Sequence, residues 1–307
     1  MPVKRLTDLS MTLFLVVLLV SDCLAQAAGT ASTPQNLIFF GRERSRISEA
    51  NFLETGSIVG AQLKYTWKEL EPVRDKYELA LILSDLAFLQ GHGKVLFIQL
   101  QDVSFADAIV NVPEYLREDP IFNGGAARQY AFEDDEETNP VASGWVARRW
   151  DPAVRGRFIK LLHVLGEALD GRIEGISLPE TSIEFGESGA FHPPGFTYDK
   201  YMEGLKIVMT AAGEAFPQSQ VIQYANFMPG EWLPGGDRGY LKGIYQHADQ
   251  IGVGVGGPDI LPHRKWQQKH SYPLIAQRGP DTKAGVAVQW GNLADTNPTT
   301  GEKVTVA

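Results

Sequence analysis

Residues 151–180, DPAVRGRFIKLLHVLGEALDGRIEGISLPE, decide how the chain is read. Asp151 followed by Pro152 is a helix start, with a carboxylate to cap the first free amides and then a residue whose missing N–H costs nothing in the first turn. Val154, Phe158, Leu161, Leu162, Leu165 and Leu169 recur on one helical face, and Gly171 supplies the left-handed residue that ends such a helix. The period then changes, and 173–178 (IEGISL) reads as a strand with Pro179 and Glu180 at its end. A helix running straight into a strand is the unit from which parallel sheets are built.

Working outward, the same alternation continues. Strands are expected at 36–40 (NLIFF), 58–65 (IVGAQLKY), 95–100 (VLFIQL), 220–224 (QVIQY), 250–255 (QIGVGV) and 285–289 (GVAVQ). Leu79, Ile82, Leu83, Leu86 and Leu89 mark one further helix. Tyr201, Met202, Leu205, Val208, Met209 and Ala212 mark another over 198–216, stopped by Pro217, and a last one lies near 240–248. Seven strands alternating with helices predict an α/β fold, a (β/α)8 TIM-type barrel lacking its last β/α unit, over a domain of residues 26–307 that is C-terminally incomplete. A doubly wound sheet is the alternative, but residues 39–44 (FFGRER) lack the second and third glycines of a phosphate turn, which disfavours nucleotide binding.

Of 307 residues, 28 are Lys or Arg and 37 Asp or Glu, a net charge of −9 that argues against nucleic acid and anionic membrane as partners. Lys4 and Arg5 precede an apolar run over 11–20, the length of a signal-peptide core and too short to span a bilayer. Residues 1–25 therefore read as a signal peptide with cleavage after Ala25 or Ala27, giving a secreted or periplasmic protein with no membrane insertion afterwards. A lipid anchor on Cys23 is the rival reading, with Asp22 standing where a small residue is expected. Cys23 is the single cysteine, so no disulfide framework and no cysteine zinc site arise. The six histidines show no H-E-x-x-H spacing, and His192, His263 and His270 read as polar loop residues. No metal and no cofactor are called for, and no G-x-S-x-G elbow is present.

About fifty residues separate the third strand from Asp151, and in a barrel they would lie over the C-terminal mouth. Their acidic run 133–137 (EDDEE) reads as a solvated loop before it reads as a cation site. Glu180 is the candidate catalytic acid, since a carboxyl at a strand's C-terminal end sits on a rigid element at the mouth. Glu184 and Glu187 lie further along the same loop, where like charges would raise one another's pKa. Asp102 after the third strand and Asp259 after the sixth are candidates for substrate hydrogen bonding or loop organisation. All six tryptophans, Trp67, Trp145, Trp150, Trp232, Trp266 and Trp290, fall after strands or in the long loop, where flat apolar faces suit sugar rings. Trp67 and Trp290 are the chosen sugar-site candidates, beside Asp102, Glu184 and Asp259.

Trp67-Lys68-Glu69-Leu70-Glu71-Pro72, with Asp75-Lys76-Tyr77 just beyond, resembles the W-x-x-[IL]-E-P-x-x-x-x-Y segment of clan A glycoside hydrolases, including bacterial beta-galactosidase-like members. The resemblance runs on through Gly93-Lys94, Val112-Pro113-Glu114-Tyr115-Leu116 and 170–176 (DGRIEGI) to Glu180. It implies a (β/α)8 fold and retaining cleavage of glycosides by an acid/base carboxyl ending the fourth strand, here Glu180, and a nucleophile ending the seventh. Two positions depart from the pattern: Pro179 stands where Asn is usual, and the seventh strand ends at Gln289-Trp290 with no carboxylate. The expected function is an exported glycoside hydrolase acting on an oligo- or polysaccharide, with a catalytically silent carbohydrate-binding protein as the alternative.

Overall fold

The computed structural model describes residues 34–133, 137–258, 261, 263–288, 296–297 and 300–303. The expected signal peptide, Cys23, most of the acidic run, and the candidates Asp259 and Trp290 lie outside the described residues. In chain order the strands are β1 (Asn36–Gly41), β2 (Ile58–Thr66), β3 (Val95–Gln101), β4 (Val103–Ser104), β5 (Ala126–Ala131), β6 (Val141–Ala147), β7 (Gly175–Leu178), β8 (Gln220–Tyr224), β9 (Gly254–Gly257) and β10 (Ala284–Val286). Seven of them pair in parallel in the order β1-β2-β3-β7-β8-β9-β10, the curled sheet of a TIM-type barrel. Among the described residues no further strand joins β10 to β1. The principal helices are α1 (Ala80–Gly91), α2 (Pro152–Leu169), α3 (Tyr198–Ala215) and α4 (Tyr240–Ile251).

The seven parallel strands are the seven read from the sequence, with shifted edges. The sixth moves from 250–255 to Gly254–Gly257 because α4 runs on to Ile251 and ends on Gly252 in the left-handed conformation at φ 72°. The fourth starts at Gly175 rather than at Ile173, since the Ile173 amide still donates to Leu169 O at 3.2 Å and closes the end of α2.

Alternation along the strands divides the apolar residues into two cores. On β2, Ala61, Leu63 and Tyr65 face the helices, and the Tyr65 hydroxyl donates to Asp85 of α1 at 2.6 Å. Gln62 faces the barrel axis, where its amide donates to Tyr224 OH at 3.1 Å and Ser177 Oγ at 3.4 Å. A small inner cluster of Phe97, Ile222 and Tyr224, backed by Leu37, lies at the same level, Phe97 being the register partner of Gln62 and Ile222 that of Ser177. The outer core is much larger and holds the stripe of α2 from Val154 to Leu169. Each fully buried leucine there contributes about 1.5–3 kcal/mol. Asp151 caps α2 as its sequence indicates, accepting from the amides of Ala153 at 2.8 Å and Val154 at 3.3 Å.

The long segment after β3 is not the irregular loop expected of it. It folds into a three-stranded antiparallel sheet in the order β4-β6-β5. Its strands, AARQYA and VASGWVA, are poor in β-branched residues and lack a tight-turn signal between them, so nothing local announced them. Tyr130 N donates to Glu184 O at 3.1 Å, and Glu184 N to Gln129 Oε1 at 3.1 Å, so the sheet is joined to the loop after β7.

Candidate active site

Glu180 stands two residues beyond β7, the fourth strand of the barrel, with its side chain half-buried. Its neighbours hold it from three directions. Asn226, just past β8, donates from Nδ2 to Glu180 Oε2 at 3.2 Å. Arg149 Nη1 donates to the Glu180 carbonyl at 2.7 Å, and the next residue, Thr181, donates from its hydroxyl to Phe227 O at 2.6 Å. The ends of the fourth and fifth strands are thus joined at the level of this carboxyl.

Below it the barrel lining is polar. Lys64 on β2 is the register partner of Gln99 on β3, and Gln99 is the partner of Ser177 on β7. Gln99 is buried, and among the described residues its Oε1 accepts no hydrogen bond. Lys64 points the same way, its ammonium 5.7 Å from the Phe39 ring. Burial lowers the Lys64 pKa, while the opposite charge of Glu180 works against that shift. An amide oxygen without a donor and a desolvated ammonium side by side match a hydroxyl, which donates and accepts at once.

The other sequence candidates fall into different places. Trp67 is no sugar platform: it is 0% exposed. It continues the outward parity of Leu63 and Tyr65, so its ring packs on Phe158 at 5.0 Å and its Nε1 donates to Glu71 Oε2 at 3.0 Å. Glu71, also buried, pairs with Arg157 of α2, and the resemblance motif is thereby an internal knot between a strand end and a helix. Asp102 is 1% exposed and closed off by Arg149, whose Nε donates to Oδ2 at 2.9 Å and whose Nη2 meets Oδ1. Burial opposes the Arg149 charge, but Asp102 outweighs it and holds the guanidinium firmly protonated. Asp102 therefore organises the loop rather than meeting substrate. Glu184 is exposed, and its raised pKa comes from desolvation rather than from a neighbouring carboxylate.

Of the tryptophans, Trp150 is buried among Phe185 and Phe196, whereas Trp232 and Trp266 remain 48% and 54% exposed. His270, expected as a polar loop residue, directly follows the short helix Lys265–Lys269 and lies buried between Phe227 and Trp232, at ring distances of 4.9 Å and 4.6 Å. Lys64, Gln99 and Asn226 escaped the sequence reading. Their signal was present as polar residues in phase with one another inside apolar strands, Gln62 and Lys64 in IVGAQLKY and Gln99 in VLFIQL.

No family model matches this chain, and no curated protein matches it. Solved structures do. A GH10 endoxylanase from a sugarcane soil metagenome superposes with a TM-score of 0.50 at 13% identity, over 82% of this chain and 66% of that one. The likeness is one of fold. The β-amylase catalytic domain from Paenibacillus polymyxa gives 0.48 at 8% identity, over 88% and 95% of the two chains. Xylanase 10B from Thermotoga maritima gives 0.45 at 12%, over 82% and 68%. The chain spans about two thirds of the length of the endoxylanase, 66%. Its barrel is similar in fold to that of the endoxylanase, and at 13% identity no activity follows from the likeness.

Proposed function

We propose that this chain is an exported glycoside hydrolase with Glu180 as the general acid/base. The observation that carries the reading is the half-buried Glu180 carboxyl just past the end of the fourth strand, held by the Asn226 amide at 3.2 Å. In cleavage the Glu180 proton passes to the glycosidic oxygen as the C1–O bond breaks; water then supplies the hydroxyl that ends on C1 and gives its remaining proton to the Glu180 carboxylate, which restores the acid. Lys64, Gln99 and Asn226 orient the sugar hydroxyls around the bond. Asp259 after β9 and Trp290 after β10 are retained as substrate-binding positions. The Trp67 to Tyr77 segment contributes to this reading through the fold alone, by the contacts of Glu71 with Trp67 and Arg157.

A second reading, a catalytically silent carbohydrate-binding protein, is favoured by one observation. The sequence from Ala284 through Ala294, which begins with β10 and continues beyond its end, contains no carboxylate to act as nucleophile. Screening the protein against aryl glycosides and oligosaccharides, with calorimetry in parallel, separates the two. Turnover lost in Glu180→Gln supports the hydrolase; sugar binding without turnover in the wild-type protein supports the binding protein.

A further inference from the structure

The segment between β8 and α4 carries Trp232 between two residues that are both fixed. Glu231, buried, accepts from the amides of Arg238 at 3.1 Å, Tyr240 at 2.7 Å and Leu241 at 3.0 Å, so its carboxylate sits on the N-terminus of α4. On the other side the Leu233 amide donates to His270 Nε2 at 2.9 Å. The opposite ring nitrogen, Nδ1, lies 2.9 Å from the carbonyl of Trp266. A carbonyl only accepts, so Nδ1 carries the proton and Nε2 is the acceptor, and the neutral imidazole links the Trp232 segment to the short helix Lys265–Lys269 that bears Trp266.

Between these anchors the rings are ordered and open. Trp232 stacks on Phe227 with centroids 5.7 Å apart and planes 7° from parallel, and it meets Trp266 at 5.3 Å and 54°. About half of each indole nevertheless faces outward. The row begins at the site already described, since Phe227 directly follows Asn226, the residue that donates to Glu180. Two large apolar rings whose backbone segments are tied by hydrogen bonds yet which are left exposed do not contribute their full area to the core. Their position and rigidity suit ligand stacking, where little ordering remains to be done on binding.

We infer that Trp232 and Trp266 form a preorganised stacking subsite for pyranose rings of the substrate chain, outward from the unit held at Glu180. The two planes, inclined to one another, take successive rings of a twisted chain rather than one flat ligand, and the C–H faces of the sugars supply the apolar contact. The substrate is accordingly an oligosaccharide or polysaccharide and not a simple glycoside. This inference rests on the reading of the barrel mouth as a carbohydrate site, but not on catalysis there.

The test is calorimetry of the full chain with xylo-, cello- and manno-oligosaccharides of one to six units, alongside turnover of the same sugars. Affinity for one of these series should rise with chain length. Trp232→Ala and Trp266→Ala should each weaken the longer members about threefold to tenfold and leave the monosaccharide unchanged. His270→Phe, which keeps a ring but neither hydrogen bond, should weaken the same longer members, whereas a merely structural histidine would affect all lengths alike. Should Trp232→Ala fail to fold, Trp266→Ala carries the test from its short surface helix. The subsite is overturned if the tryptophan variants bind every length as the wild-type protein does, if they lose short and long sugars equally, or if the wild-type protein binds none of the three series. Length-dependent binding without turnover keeps the subsite and removes the hydrolase; turnover and affinity untouched by either tryptophan substitution keeps the hydrolase and removes the subsite.

Discussion

Asn226 Nδ2 donates to Glu180 Oε2 at 3.2 Å, joining a carboxyl at the end of the fourth barrel strand to an amide at the end of the fifth. The contact orients Glu180 without taking its proton, because an amide N–H only donates. Glu180→Gln keeps the shape and removes the transferable proton, so turnover should fall roughly 100- to 10,000-fold. The loss should be steepest on substrates with poor leaving groups, since an activated aryl leaving group needs little protonation. Sugar affinity should hold. Steady-state rates on aryl glycosides and a natural oligosaccharide check this, with Glu184→Gln and Asp259→Asn in parallel. Full turnover in Glu180→Gln, with loss in either of the others, would transfer the acid role away from Glu180.

The pair Asp102–Arg149 lies almost wholly out of water, at 1% and 6% side-chain exposure. Arg149 also donates to Tyr201 OH at 2.8 Å, and burial raises that phenol to about 12, so it stays protonated and donates onward to Thr181 O at 2.9 Å. Removing one charge from such a pair leaves the other buried and uncompensated, at a cost of about 3–5 kcal/mol. Asp102→Ala should therefore lose that much in urea denaturation. Because Arg149 also holds the Glu180 carbonyl, turnover should fall in the folded fraction too. A variant of native stability would mean that the pair is not what organises this strand end.

The barrel was legible because its signals are local and periodic. The stripe of α2, the Asp151-Pro152 cap and the strand ending at Glu180 are each set by neighbours in sequence, and each recurs in the structure. Of the candidate site, only the place of Glu180 just past a strand end was legible, because that place is set by neighbours in sequence. Trp67 misled because a residue after a strand can face the axis or the helices, and one step of parity decides which. Asp102 misled for a different reason: its partner Arg149 is 47 residues away, beyond an antiparallel sheet whose connection carries no two-residue hairpin signal such as Asn-Gly. The exposed pair Trp232 and Trp266 is fixed by His270, a contact 37 residues long that composition and spacing do not encode.

The charged start and the apolar run over residues 11–20 predict a mature N-terminus at Gln26 or Ala28. Mass spectrometry of protein recovered from the extracytoplasmic fraction should find one of these two ends. Intact Met1 in the cytosolic fraction, with nothing exported, would refute the export reading and leave the barrel untouched.

Lys64 separates stability from function. Burial depresses its pKa below the ordinary 10.5, with Arg42 adding to the effect and Glu180 opposing it. Between the depressed folded value and 10.5 the unfolded chain binds the additional proton, so stability rises with pH across that window. Below it the folded protein carries a desolvated ammonium at full cost. Lys64→Met removes the charge and keeps the stem, so its melting temperature at pH 7 should exceed that of the wild-type protein, and the gap should narrow toward pH 10.5. If the ammonium serves to bind sugar hydroxyls beside Gln99, the same substitution should weaken oligosaccharide affinity by about 10- to 150-fold, the value of one hydrogen bond to a charged group. Thermal melts from pH 6 to 10.5, with calorimetry at pH 7, measure both. A stabilised variant with unchanged affinity would show Lys64 to be a burial defect without a ligand; a destabilised one would show that its cation contributes to the fold through the Phe39 ring.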